Sequence, residues 1–255
     1  MKIKYMILDS LTMFKRCGLI ALRKSDALAT SIFVPTFMML LFVFVFGEAM
    51  YVGSYDFTNF IVPGIILTCI GQCATVTSIV VNEDLTKGVF DRFRSMPIAK
   101  TAVMNGHVLA AMARNIVATS VVFGVAFLVG FRPQAGVIAW LGIVGILLLY
   151  MLAITWVSLL FGIVVKSAET AGTLAVIVTI LPYLSSGFVQ VESMAPALQG
   201  FARNQPMTPV IDTVRALSLD MPADGSWLAA VLWCTGIIVC FYIIASQVYR
   251  RKMTK

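Results

Sequence analysis

Six long apolar runs separated by short polar stretches organise this sequence. They cover roughly Leu28–Phe46, Asn59–Val81, Val108–Gly130, Gly136–Val165, Thr170–Phe188 and Trp227–Val248. Most are close to the ~20 residues that a helix needs to cross the ~30 Å hydrocarbon core of a bilayer. The fourth run is longer and predicts a tilted helix. Pro35 and Pro182 fall inside the first and fifth runs. Membrane helices tolerate such prolines when neighbours re-satisfy the backbone. The pattern predicts an all-α integral membrane protein with six transmembrane helices. It forms a single transmembrane domain over residues 1–255, with the bundle at 28–248 and a tail at 249–255.

The polar stretches carry their own pattern. Asn82–Pro97, NEDLTKGVFDRFRSMP, places Leu85, Val89, Phe93 and Met96 at helical spacing, with Lys87, Asp91 and Arg94 opposite. Glu83 and Asp84 at its start and Arg92 and Arg94 near its end complement a helix dipole. Pro97 stops it. Such a helix of about a dozen residues is ~18 Å long, too short to cross a bilayer but able to lie along one. It is either an interfacial anchor or a docking element for a cytoplasmic partner. Ahead of the first run, residues 1–26 place Ile7, Leu11, Phe14 and Ala21 on one face, which predicts an N-terminal interfacial helix. In the 189–226 stretch, Val210, Val214 and Leu217 form a small apolar face after Pro209, with Asp212 and Arg215 away from it. A surface hairpin would show this pattern.

Charge sets the orientation. The chain of 255 residues is 60% hydrophobic and only 12% charged, with mean hydropathy +0.94. A soluble domain is nearer a quarter charged. The net charge of +7 comes with basic residues crowding both ends, from Lys2 to Lys24 and from Arg250 to Lys255. By the positive-inside rule both termini are cytoplasmic, and the location is a plasma (inner) membrane. Arg132, Arg203 and Arg215 are the basic residues assigned outside. Basic charge placed this way serves anionic lipid headgroups and argues against nucleic-acid binding. Of the five cysteines, Cys69, Cys73, Cys234 and Cys240 lie in apolar runs as small hydrophobes. The N-terminus lacks the pattern of a cleaved signal peptide.

Candidate chemistry is sparse. No GxxxxGK[ST], GxSxG or HExxH motif occurs, so no nucleotide or hydrolase site is predicted and the chain is not expected to be an enzyme. His107 is the only histidine and reads as a residue near the headgroups. Arg114 reads as a residue that snorkels to the cytoplasmic side. Each Asp and Glu falls at a span end or in a loop, and none is expected to be buried. That disfavours a proton-coupled carrier. Gly142, Gly145, Gly162 and Gly172 are the glycines expected to let helices approach closely, without a GxxxG dimer face.

The acidic pair Glu83–Asp84, Gly88 and the phrase DRFRSMPI resemble the cytoplasmic loop of ABC-2 type transporter permeases, in their daunorubicin-resistance-like exporter branch. The phrase FVQVESMAPALQGFARNQPMTPVIDTVRAL resembles that family's external re-entrant loop, with Gln190 where many relatives carry proline. The resemblance implies that 82–97 is a cytoplasmic coupling helix docking on a separate ABC ATPase subunit. Leu85, Val89 and Phe93 would pack into that subunit, and Asp91, Arg92 and Arg94 would set register. Gly88 would allow close approach, between Glu83 and the Pro97 stop. No cofactor is expected on this chain, ATP and Mg belonging to the partner. A second permease copy, self or related, and membrane lipid are the other implied partners. The implied function is export of a hydrophobic or amphiphilic compound. The alternative is an assembly or scaffold protein recruiting another partner through 82–97. Phe37, Thr68, Gln72, Thr75 and Thr179 are the candidate pathway residues, apolar or neutral, as a lipophilic substrate would require.

Overall fold

A computed structural model of the chain describes residues 12–18, 25–47, 56–88, 102–221 and 225–254. All regular structure among them is helical. Residues 12–18 form α1. α2 spans Ser25–Leu41 and runs on as a π-turn, Phe42–Phe46. Four longer helices are α3 (Phe57–Thr86), α4 (Ala102–Val129), α5 (Val137–Val164) and α9 (Ser226–Thr254). Between α5 and α9 lie α6 (Ala168–Ile180), α7 (Pro196–Asn204) and α8 (Met207–Ser218).

Among the described residues, five helices are long and apolar enough to cross a membrane: Asp26–Phe46, Phe57–Thr86, Val103–Val129, Val137–Val164 and Ser226–Lys252. The expected fifth crossing is shorter. Its apolar helix covers Ala168–Leu184, with α6 giving way at Ile180 to a 3-10 turn, Leu181–Leu184. Pro182 explains the change, since it has no N–H to continue the ladder. The chain then turns through Ser185 and Ser186, both buried. Irregular backbone survives at such depth only where protein supplies its hydrogen bonds. Here the Ser185 hydroxyl donates to the Pro182 carbonyl and accepts from the Gly187 N–H.

α3 is the axis of the molecule. It packs against α2, α4, α5, α6 and α8. Ile61, Ile65, Ile66, Leu67 and Ile70 are fully buried along it. Its neighbours come close where side chains are missing. A Cβ on Gly64 would lie 2.6 Å from the Gly187 carbonyl oxygen, and one on Gly71 would lie 2.9 Å from Thr179 Cα. A Cβ on Gly162 would lie 2.6 Å from the Ser78 carbonyl oxygen. Of the four glycines singled out in the sequence, Gly162 makes this backbone contact. Gly142 and Gly172 meet side chains, and Gly145 faces open space.

α8 does not sit on a surface hairpin. Met207, Val210, Ile211 and Val214 are fully buried in the main core, and Tyr150 donates to the Met207 sulfur at 2.7 Å. Arg215 clamps α8 to its neighbours, donating to the carbonyls of Phe60 and Ser186 and to Asp212 at 2.9 Å. Its guanidinium also stands 4.0 Å from the Phe60 ring centroid. Burial pulls Arg215 down to about 10 and pushes the Asp212 carboxyl up. α2 and α9 by contrast expose apolar faces, including Phe33, Phe37, Phe44, Trp227 and Leu232. Such faces require lipid or another chain as their surroundings.

Candidate functional site

The end of α3 that leads to residue 88 gathers polar side chains from several elements. Asn82 is fully buried and donates through Nδ2 to the carbonyls of Gly162 and Val165, both at 2.9 Å. These are carbonyls that the end of α5 leaves without intrahelical partners. One helical turn earlier, Ser78 donates to the Ala171 carbonyl of α6 at 3.1 Å. Asp84 accepts from Arg16 of α1 at 2.9 Å and lies 3.4 Å from His107 Nε2 of α4. The other ring nitrogen, Nδ1, is 3.9 Å from Cys17 Sγ. Lys252 of α9 donates to the Ile163 carbonyl. This end of α3 therefore contacts α1, α4, α5 and α6 through named polar bonds.

Several expectations change here. Residues 82–86 are not the start of a separate amphipathic helix. They are the last turn of α3, because Asn82 and Asp84 find partners inside the protein and the helix runs on. It ends where Lys87 N–H returns to the Glu83 carbonyl and Gly88 adopts φ 69°. That left-handed conformation favours glycine and closes a helix C-terminus. Asp84 is buried, contrary to the expectation for the acids. His107 is not a headgroup residue, being 4% exposed between Cys17 and Asp84. Arg114 does not snorkel. It reaches across to α3, donating to Thr77 Oγ1 at 2.6 Å and to the Cys73 carbonyl at 3.4 Å. α1 is more than an interfacial helix, since Met13 and Cys17 are buried against the bundle. A Cβ on Gly106 would lie 2.4 Å from Met13 Cβ, so the missing side chain lets α1 dock. No local sequence signal marks these pairings. Gly106 beside the single histidine is the nearest to one.

Cys17, Asp84 and His107 bring their ligand-type atoms within 4.8 Å of one another. The imidazole stands between the other two, with Nδ1 toward sulfur and Nε2 toward carboxylate. One ion could take only one of these nitrogens, and Arg16 already holds the carboxylate oxygen. The arrangement fits a polar link between three helices better than a metal centre.

Of the candidate coupling residues, Glu83, Leu85 and Gly88 lie at this end of α3. Glu83 pairs with Lys87 at 3.2 Å, and Leu85 packs on the second core cluster around Val81 and Val103. Val89, Asp91, Arg92, Phe93, Arg94 and Pro97 lie outside the described residues. Of the candidate pathway residues, Thr75 and Thr179 are brought together, their hydroxyls 3.4 Å apart between α3 and α6. Thr68 is fully buried and bonded to the Gly64 carbonyl of its own helix. Gln72 is half-buried on α3. Phe37 stands apart on the exposed face of α2, stacked on Phe33 at 6.0 Å.

Comparison with known proteins gives a consistent picture. The family model described as ABC-2 type transporter matches residues 10–219. The chain is 26% identical over 224 residues to the daunorubicin resistance ABC transporter permease protein DrrB1 of Streptomyces coeruleorubidus, covering 87% of this chain and 78% of that protein. It is also 26% identical over 231 residues to the probable doxorubicin resistance ABC transporter permease protein DrrC of Mycobacterium tuberculosis, covering 88% and 82%.

Proposed function

Because the chain belongs to the ABC-2 type transporter family, we propose that it is the six-span permease subunit of an ATP-driven exporter whose ATPase is a separate chain. It works as a pair of permeases, with itself or with a related copy, and both termini face the cytoplasm. Its substrate is a hydrophobic or amphiphilic compound, in keeping with the drug-resistance names of its relatives. The neutral Thr75–Thr179 pair between otherwise apolar helices supports that substrate class.

The observation that carries the reading is the polar tie at the end of α3. A largely buried helix, α3, ends at Gly88 and leads into the segment 89–97. At that same end Asn82, Asp84 and Ser78 fix it to α5, α4, α1 and α6. A push delivered to 89–97 by an ATPase would therefore reach four helices at once, not one. Buried hydrogen-bonded networks transmit displacement because they have few alternative arrangements.

The test is co-reconstitution with the partner ATPase in inside-out vesicles. ATP-dependent accumulation of a lipophilic compound is expected, with ATP hydrolysis stimulated by that compound. Val89→Asp and Gly88→Leu should abolish both effects while the chain still inserts. Export by these variants at the normal rate would leave 89–97 as an anchor. Hydrolysis indifferent to the chain's presence would favour the scaffold role instead.

A further inference from the structure

Arg114 is a half-buried cation with no counter-ion among the described residues. Both of its hydrogen bonds leave from Nη2, to Thr77 Oγ1 and the Cys73 carbonyl. Its Nε is buried and makes no bond. No carboxylate among the described residues pairs with it. The two acids at the end of α3 are committed elsewhere, Asp84 to Arg16 and His107, Glu83 to Lys87. Charged side chains within a membrane are paired or line a pathway, because hydrocarbon does not solvate them.

Arg114 also lines a cavity. About 230 Å³ of space lies between α1, α2, α3 and α4, walled by Phe14, Cys17, Leu28, Val76, Val80 and Val117 beside the guanidinium. Half-exposed Val117 puts one edge of the cavity at the outer surface of α4, where lipid lies. The volume falls below the ~300–1,000 Å³ of pockets that take drug-sized molecules. One alkyl chain fits it better than a polycyclic body. Thr77 and His107 also line the cavity, but Thr77 is bonded to Arg114 and His107 is matched by Asp84. The Arg114 charge, without a counter-ion among the described residues, therefore calls for a single negative charge on the occupant. A cationic compound would meet an unscreened like charge there.

We propose that this cavity is a binding site for a lipophilic carboxylic acid entering from the bilayer. Its alkyl chain lies against Val76, Val80 and Leu28, and its carboxylate accepts hydrogen bonds from Arg114. The site is apart from the Thr75–Thr179 pair, and its occupancy is measurable without any transport activity. Because the cavity wall includes α1, a bound acid would also hold α1 against α4.

Three amphiphiles with the same chain isolate the charge: dodecanoate, dodecanol and dodecyltrimethylammonium, each added to the full chain in phosphatidylcholine nanodiscs. Dodecanoate at saturation should raise the unfolding midpoint by about 5 °C. It should also remain bound in native mass spectrometry, whereas the alcohol and the ammonium should do neither. Arg114→Gln should erase the preference and Arg114→Lys should retain it. Val76→Phe, which leaves the cation in place but fills the apolar wall, should lose dodecanoate binding. Equal effects of the three head groups would overturn the proposal. So would a preference that survives Arg114→Gln, or undiminished binding in Val76→Phe.

Discussion

At the scale of the residue, the side chains with most influence are polar ones that hydropathy treats as interruptions. Asn82 is the clearest. Its amide supplies two hydrogen bonds to carbonyls at the end of α5, and nothing else described reaches its Nδ2 donors. Asn82→Ala leaves those buried acceptors unpaired, at about 1–3 kcal/mol for each group stranded. With two groups stranded, the expected result is a midpoint lower by roughly 4–20 °C in thermal unfolding. Thr173→Ala, on an exposed side chain bonded only to the Glu169 carbonyl of its own helix, should leave it nearly unchanged. Equal stability of the two variants would mean that α5 does not depend on Asn82. Gly88 is a different case, since its constraint is conformational. At φ 69° a branched side chain is strained by about 1–2 kcal/mol, so Gly88→Val should fray the end of α3 without disturbing Asn82. Hydrogen exchange at Lys87 and Gly88 would show it as lost protection confined to that turn.

At the scale of the element, α1 is a short helix docked on α3 and α4. It is held by Arg16 on Asp84, by Cys17 beside His107 and by the fit of Met13 over Gly106. Gly106→Leu forces these apart, and overpacking of this kind costs about 1–3 kcal/mol, enough to raise the open population roughly ten-fold. Cys17, buried in the docked helix, would then react roughly ten-fold faster with a maleimide, by the same opening equilibrium. An unchanged rate would show that α1 does not dock on α4. The same element shows what was legible in the sequence. Apolar runs located each long helix, because a bilayer demands about twenty apolar residues in a row whatever surrounds them. The partners were not legible, because they come from far along the chain. Arg16 and Asp84 are 68 positions apart, and Asn82 and Gly162 are 80 apart. The sequence therefore reads Asn82 and Asp84 as the start of a new polar segment, whereas in the structure they are the bonded end of α3. Pro182 carried the opposite lesson. Its effect is local, and the shortened α6 follows from the missing N–H.

At the scale of the whole molecule, the contacts between α3 and α6 determine which loops share a side of the membrane. Gly64 meets Gly187, Gly71 meets Thr179, and Ser78 bonds to Ala171. Position rises along α3 as it falls along α6, so the two helices are antiparallel. Lys87 follows the end of α3 that adjoins the start of α6. Ser193 follows the chain past the far end of α6, beside the region where Arg215 grips Phe60. From Phe60 to Lys87 is about 40 Å of helix at 1.5 Å per residue, as thick as a bilayer with its headgroups. If both helices span the membrane as proposed, this packing would put the two positions on opposite sides, and the proposed orientation of the basic ends would place Lys87 in the cytoplasm. Single cysteines at Lys87→Cys and Ser193→Cys, in a version with the native cysteines replaced by serine or alanine, should be labelled by a membrane-impermeant maleimide from opposite faces. Ser193→Cys should react in intact cells, and Lys87→Cys only in inside-out vesicles. Reaction of both from one face would break the antiparallel reading and the orientation together. Reaction from opposite faces with the sides exchanged would keep the packing and overturn only the charge rule. That second outcome would move the polar tie of Asn82, Asp84 and His107 to the side away from ATP. No ATPase could then act on it, so the coupling role would fail even though every contact remained in place.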